Sequence, residues 1–135
     1  MIVRLTRGWW RALAGEPVAV PPDLVERWPE LARARWRRGG LAPRVGGWCL
    51  GTDTVSAITL WRTIFLGART RLDDIELLLH EVRHVEQFAR DWTFPLQYVW
   101  ESARRGYHRN RFEVDAVRYA AHRVSSPAEP PNEEV

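Results

Sequence analysis

The longest regular alternation of apolar and polar residues lies between positions 72 and 90. Apolar side chains recur there at intervals of three and four residues, which is the period of one helix face. No glycine or proline interrupts the segment, and Asp73, Asp74 and Glu76 stand near its start, where acids suit the positive end of the helix dipole. The pattern predicts an amphipathic helix with an apolar face formed by Ile75, Leu78, Leu79, Val82, Val85 and Phe88.

Further helices are predicted on both sides of this segment. The stretch "PPDLVERWPELARARWRRGG" reads as a helix that is capped near Asp23 and ended by Gly39-Gly40, with a kink or a division at Pro29. Two later helices are expected over 96–105 and 111–123. Between positions 44 and 66 the chain instead holds many β-branched and aromatic residues, which predict two or three short strands. The fold class is therefore α+β, mostly helical with a small mixed or antiparallel sheet.

The length of 135 residues favours one domain over 1–124. Its parts are a basic, helical segment rich in Trp and Arg (1–40), the short strands (44–66) and the helices of a candidate site (72–124). The segment 125–135 is rich in Pro, Ser and Glu, which predicts a disordered acidic tail. We find neither an apolar run long enough for a membrane span nor a signal-peptide core, so a cytoplasmic protein is expected.

All 20 basic residues are arginines, and the formal net charge is +3. The eight tryptophans are expected mainly to fill the core and to cover helix faces. An alternative arises because Trp9, Trp10 and Trp36 stand close to arginines. Such a basic aromatic surface would suit single-stranded nucleic acid.

The predicted helix 72–90 carries an H-E-x-x-H pattern formed by His80, Glu81 and His84. Residues four apart project from the same side of a helix, so the two histidines can bind a single metal ion. The pattern on a helix favours Zn²⁺, and because the chain has one cysteine, any metal here must be held by histidines and carboxylates. The alternative is an ordinary amphipathic helix on which these residues are solvated.

A zinc site usually takes three protein ligands. One large class of zinc proteases places a glycine and a third histidine downstream of the motif; those positions hold Gln87 and Arg90 here, which excludes that class. The remaining candidates are His108, Glu113, Asp115 and His122. Glu113 is favoured because it stands beside an apolar helix stripe, where a buried carboxylate needs compensation, whereas Asp115 points to a different side.

The stretch "LLLHEVRHVEQF" followed by "NRFEVDA" resembles the gluzincin group of zinc metallopeptidases. It is similar, more narrowly, to small bacterial zincin-like proteins with an H-E-x-x-H-x-x-Q helix and a later N-x-F-E-x-x-A segment. The resemblance covers roughly positions 63–121 and implies a minimal zincin-like domain with a sheet beside the motif helix. It also implies that His80, His84 and Glu113 are zinc ligands and that Glu81 is the general base.

The resemblance has one departure. Many gluzincins place an aspartate four residues after the ligand glutamate, and position 117 here is Val, which leaves the supporting role vacant or open to Asp115. The resemblance also implies that Thr63–Leu66 is an edge strand for extended substrate, with simple core structure as the alternative. Gln87 is expected within the site or at its rim.

These observations predict a zinc-dependent metallopeptidase, a hydrolase acting on peptides or proteins. Tyr107 and His108 are the candidates for stabilising the oxyanion, with Tyr119 behind them, although His108 equally suits an ordinary surface position. The rival interpretation is a non-catalytic module that binds protein or nucleic acid, with a structural or vestigial metal site.

Overall fold

The structure is a computed structural model that describes residues 2–44 and 56–128. Its helices and strands form a small α+β fold, which confirms the predicted fold class. Two short 3-10 turns, Pro29–Arg33 and Tyr107–Arg109, join longer elements. The other elements in chain order are α1 (Ile2–Ala14), β1 (Glu16–Pro17), α2 (Pro22–Arg27), β2 (Arg35–Arg38), β3 (Ala57–Leu60), β4 (Thr63–Leu66), α3 (Ile75–Arg90), α4 (Phe94–Arg105) and α5 (Arg111–Ser125).

The four strands form one mixed sheet in the order β1-β2-β4-β3. β2 and β4 run parallel, whereas β1 pairs with β2 and β3 pairs with β4 in antiparallel fashion. A two-residue connection, Trp61-Arg62, joins β3 to β4, and Trp61 takes the positive φ of 54° that tight hairpins favour. β4 is thus an inner strand, so the prediction that Thr63–Leu66 forms the edge is wrong. Among the described strands, β3 is the edge on that side.

The core lies between the sheet and α3. β4 contributes Ile64 and Leu66, which are fully buried, and α3 contributes an apolar stripe in the predicted helical period. Burial of each large aliphatic side chain contributes roughly 1.5–3 kcal/mol, so this stripe holds α3 against the sheet. The buried members of the cluster are Trp28, Leu31, Trp36, Ile64, Leu66, Leu78, Leu79, Val82, Val85 and Ala120.

The stretch 22–38 differs from its prediction as a helix. α2 ends at Arg27, a 3-10 turn begins at Pro29, and Arg35–Arg38 form strand β2. Pro29 divides the segment because it lacks an N–H donor for a continuing helix. Beyond the turn, Ala34 and Trp36 alternate with arginines at the period of a strand, and Trp36 is buried against Leu31, whose carbonyl accepts its Nε1–H at 2.8 Å.

The tryptophans also differ from their predicted role. Trp28 and Trp36 are buried as expected, but the other five described tryptophans are largely exposed. These are Trp9, Trp10, Trp61, Trp92 and Trp100.

Two predicted segments lie partly outside the described residues. Positions 45–55, which hold the first part of the predicted strand region and Cys49, are not described, and neither are 129–135 of the predicted tail. The start of that tail is corrected, since α5 continues to Ser125 and the Ala128 N–H donates to the Arg27 carbonyl at 2.9 Å. None of the described helices combines the length and the apolar character that a bilayer crossing requires.

Candidate metal centre

Helix α3 positions His80, Glu81 and His84. The Asp74 side chain caps its start by accepting from the Leu77 N–H at 3.2 Å. Because the apolar stripe faces the sheet, the neighbouring face of the helix carries the two histidines one turn apart. His84 is buried, and the sequence-predicted helix therefore delivers both imidazoles to one place.

Helix α5 delivers the carboxylate of Glu113, and Asn110 determines where this helix begins. The side chain of Asn110 is fully buried, and its Oδ1 accepts from the Phe112 N–H at 2.9 Å as an N-cap. Its Nδ2 donates to the Tyr98 carbonyl at 3.1 Å and to Ser102 Oγ at 2.9 Å, which ties the start of α5 to α4. Glu113 lies in the first turn after this cap, where it faces α3.

The three side chains converge on one point. The Nε2 atoms of His80 and His84 are 3.1 Å apart. Glu113 Oε2 lies 3.0 Å from His80 Nε2, and Glu113 Oε1 lies 3.2 Å from His84 Nε2. Within the described part of the chain, these three residues form a group of donors suited to a metal ion.

These spacings fit a tetrahedral zinc site. With zinc–nitrogen distances of about 2.0–2.1 Å, two ligands of a tetrahedral ion are separated by roughly 3.3 Å. The observed separations of 3.0 to 3.2 Å are close to this value. Two imidazoles and one carboxylate also form a donor set of the kind that catalytic zinc accepts, with a fourth position left for water.

The electrostatics of the cluster favour a positive charge at the same point. Burial acts to lower the pKa of His84, but hydrogen bonding to Glu113 and the negative charges of Glu81 and Glu113 outweigh it and raise that pKa. Burial likewise acts to raise the pKa of Glu113, but hydrogen bonds from His80, His84 and Tyr98 hold it well below the ordinary value. A proton on the histidines or a metal cation between the three side chains would each neutralise the buried negative charge of Glu113.

The amide of Gln87 fixes the tautomer of His84. Gln87 Nε2 donates to the Phe112 carbonyl at 3.1 Å and to Asp115 Oδ2 at 2.9 Å, so its Oε1 faces the other way. That oxygen lies 2.8 Å from His84 Nδ1 and accepts a hydrogen bond from its N–H. With Nδ1 held as the donor, Nε2 is the nitrogen that faces Glu113 and His80, where it would bind either a proton or a metal ion.

Asp115 supports this amide and does not join the cluster. Its carboxylate is held by Arg83, whose Nε donates to Oδ2 at 2.7 Å. The sequence left open whether Asp115 occupies the supporting role vacated at position 117. In the structure Asp115 contacts Gln87, and Gln87 contacts His84, so Asp115 supports the histidine indirectly through the amide. Val117 is exposed.

Glu81 lies on the sheet side of the cluster. It is buried, and its Oε2 accepts from the hydroxyl of Thr59, on the edge strand β3, at 2.6 Å. The same hydroxyl lies 3.3 Å from the Glu81 carbonyl. The general-base candidate is thus held at the junction of α3 and β3.

Two tyrosines stand near Glu113. The Tyr98 hydroxyl donates to Glu113 Oε1 at 2.5 Å, and burial together with this hydrogen bond raises the pKa of Tyr98. Burial and the negative charges of Glu113 and Glu81 also raise the pKa of Tyr107. The Tyr107 side chain is 40% exposed, so it is partly open to solvent on the side of the cluster where these charges lie.

The remaining sequence candidates are not brought into the cluster. His108 is exposed and places its ring edge-on to Tyr107, and His122 is exposed on α5. The Tyr119 hydroxyl instead donates to Glu30 Oε1 at 3.1 Å.

Three residues of the site were missed from the sequence: Thr59, Tyr98 and Asn110. Asn110 carried a usable signal, since an asparagine directly before an amphipathic helix is a preferred N-cap. Thr59 and Tyr98 carried none, because their partners are distant in the chain.

No family model matches this chain, and neither the curated proteins nor the solved structures include a significant match to it.

Proposed function

We propose that this protein is a zinc-dependent hydrolase of peptide bonds, in which His80, His84 and Glu113 hold the metal and Glu81 is the general base. The proposal rests on one observation. The Nε2 atoms of His80 and His84 and the carboxylate oxygens of Glu113 lie 3.0 to 3.2 Å apart. A second buried carboxylate, that of Glu81, directly follows His80 on α3.

A bound zinc ion would supply Lewis acidity, polarising a carbonyl group and lowering the pKa of a water molecule. The chain's own contribution is proton transfer. Glu81 accepts a proton from the attacking water as the new carbon–oxygen bond forms, and it returns that proton to the amine as the carbon–nitrogen bond breaks. The hydrogen bond from Thr59 to Oε2 keeps the carboxylate in one orientation during both steps.

Tyr107 supports the proposal as the oxyanion donor. A tyrosine hydroxyl is protonated at neutral pH, so Tyr107 can donate a hydrogen bond to the negative charge that develops on the carbonyl oxygen, and its partial exposure leaves it accessible to substrate. Tyr98 has a different role, because its hydroxyl donates to Glu113 Oε1 at 2.5 Å and its side chain is less exposed than that of Tyr107. Among the described residues, the exposed His108 side chain contacts Tyr107 and no member of the cluster, so it is not assigned a catalytic role.

The edge strand β3 offers a place for the substrate backbone. An extended peptide can add to a free strand edge through main-chain hydrogen bonds, which give affinity with little sequence selectivity. β3 carries Thr59, which contacts Glu81, so a peptide paired there would run past the general base. In this proposal β3 takes the role that the sequence assigned to Thr63–Leu66.

The first experiment measures metal. Elemental analysis of the purified chain should find about one zinc per molecule, and His84→Ala and Glu113→Gln should lose it. Glu76→Gln is the matched control, since it alters an exposed acid on the helix that carries the two histidines and should retain the zinc. Equal zinc content in wild type, His84→Ala and Glu113→Gln would contradict the site.

The second experiment measures cleavage. Glu81→Gln is nearly isosteric and should retain zinc while the cleavage rate of casein or of a broad peptide library falls about 10²–10⁴-fold, the usual value of general acid–base assistance. A zinc-loaded wild type that cleaves nothing would identify a non-catalytic module. An undiminished rate in Glu81→Gln would show that Glu81 is not the base.

A further inference from the structure

The second half of the N-terminal helix α1 exposes large apolar side chains. Trp9 is 71% exposed, Trp10 is 67% exposed and Leu13 is 46% exposed. The helical register of the sequence groups Ile2, Leu5, Trp9 and Leu13 on one face. An amphipathic helix on the surface of a folded domain normally turns this face to the core, whereas the described part of the chain leaves Trp9, Trp10 and Leu13 open to a partner.

The C-terminal end of α1 is nevertheless firmly attached to the sheet. Arg37 on β2 donates from Nε to the Ala14 carbonyl at 2.5 Å and from Nη2 to the Gly15 carbonyl at 2.9 Å. Gly15 and Gly40 both have positive φ and approach each other so closely that a Cβ on Gly40 would lie 2.7 Å from Gly15 N. The apolar face is therefore presented from an anchored end.

The charge of α1 complements an anionic surface. In the helical register of the sequence, Arg4, Arg7 and Arg11 fall on a second side, and the sequence of α1 contains no acidic residue. Tryptophan and arginine together are typical of helices that lie in the interface of a bilayer, where indole rings occupy the headgroup region and guanidinium groups meet lipid phosphates.

The distribution of these residues favours a lipid surface over nucleic acid. Stacking on nucleic acid requires aromatic and basic side chains on one shared surface. In the helical register of the α1 sequence, Trp9 and Leu13 lie opposite positions 4 and 11, and Trp10 alone borders the arginine face, which suits an apolar layer beneath a charged one. The negative potential of such a layer extends about 10 Å at moderate salt, which is enough to reach arginines across the width of one helix.

Self-association through α1 alone is disfavoured by its size. A helix of 13 residues is about 20 Å long and covers roughly 400 Å² on each partner at most, whereas a stable interface buries about 800 Å² per partner. We infer that α1 is an interfacial helix that docks this protein, without spanning, onto bilayers containing anionic phospholipid. This inference goes beyond the proposed hydrolase and does not depend on it.

The experiment measures sedimentation of the full chain with vesicles of phosphatidylcholine, with and without 30% phosphatidylserine. We expect binding at least tenfold tighter to the anionic vesicles. Trp9→Ala/Leu13→Ala should weaken that binding at least tenfold. Arg4→Gln/Arg7→Gln should weaken it about fivefold per arginine, the usual gain from one basic residue near an anionic surface.

Trp92→Ala/Trp100→Ala is the matched control, because these tryptophans are as exposed as those of α1 but lie outside it, at 88% and 64%. It should change vesicle binding less than twofold, and helical content by circular dichroism should stay constant in all variants. No binding to anionic vesicles, or an equal loss in the control, would overturn the inference. So would an oligonucleotide complex or a dimer that is abolished by Trp9→Ala/Leu13→Ala.

Discussion

The orientation of one amide, that of Gln87, holds Nδ1 of His84 as a hydrogen-bond donor and leaves Nε2 facing the cluster. Its NH₂ group is held by two acceptors, the Phe112 carbonyl and Asp115, so only its oxygen is left for His84 Nδ1. Partners of this kind around a metal ligand fix its tautomer and its ring orientation. In this chain a glutamine stands between the acid, Asp115, and the histidine.

A leucine at position 87 would retain the volume and remove this hydrogen bond. We expect Gln87→Leu to weaken zinc affinity about 10–100-fold, the usual effect of losing such a partner. Gln97→Leu is the matched control, because Gln97 contacts Asp91 and Thr93 and no member of the cluster. Competition with a chromogenic chelator measures both affinities, and equal values in the two variants would refute the role of Gln87.

At the scale of elements, local patterns were predictable and distant pairings were not. α3 was predicted because its apolar period and its capping acids lie within one segment. β2 was misread because its arginines suit a helix as well as a strand, and its pairing with β4 depends on residues about 28 positions later.

The same division applies within the candidate site. The spacing of His80 and His84 is local, and Glu113 could be favoured from the apolar stripe beside it. Thr59 and Tyr98 reach the cluster only through packing of β3 and α4 against α3 and α5, which no local pattern encodes.

An ion pair between the 3-10 turn and α5 makes stability depend on pH. Burial acts to raise the pKa of Glu30, but hydrogen bonds from Arg123 at 2.5 Å and from Tyr119 at 3.1 Å hold it below the ordinary value of 4.5. A carboxylate with a lowered folded pKa stabilises the fold above its unfolded pKa, and that contribution is lost as the pH falls through the folded pKa.

We therefore expect Glu30→Gln to lower the free energy of unfolding by about 1–3 kcal/mol at pH 7, as for loss of hydrogen bonds to a charged group. The difference from wild type should shrink as the pH falls below about 4.5. Urea denaturation at several pH values measures it. Glu26→Gln, at an exposed position on α2, should have little effect, and a pH-independent deficit in Glu30→Gln would contradict the assignment.

At the scale of the whole molecule, the candidate metal centre joins two helices that pack against each other. A ligand that binds only the folded state raises the free energy of unfolding by about 2.7 kcal/mol at 100 times its dissociation constant. For a chain of this length, that corresponds to a rise in melting temperature on the order of 10 °C.

Thermal denaturation with and without zinc measures this shift. We expect it in wild type and in Glu81→Gln, and we expect it to be absent in His84→Ala. A shift of the same size in His84→Ala would place the bound zinc elsewhere.

The division of the three proposed ligands between α3 and α5 also has a consequence for the order in which the site forms. His80 and His84 are brought into register as soon as a single turn of α3 exists, a local event on the submicrosecond scale. Glu113 arrives only when α5 docks, across a loop of about 28 residues whose closure costs entropy. Zinc captured early by the histidine pair would hold this turn in place and lower the nucleation cost of the helix, so the metal would act on the folding route as well as on its end point.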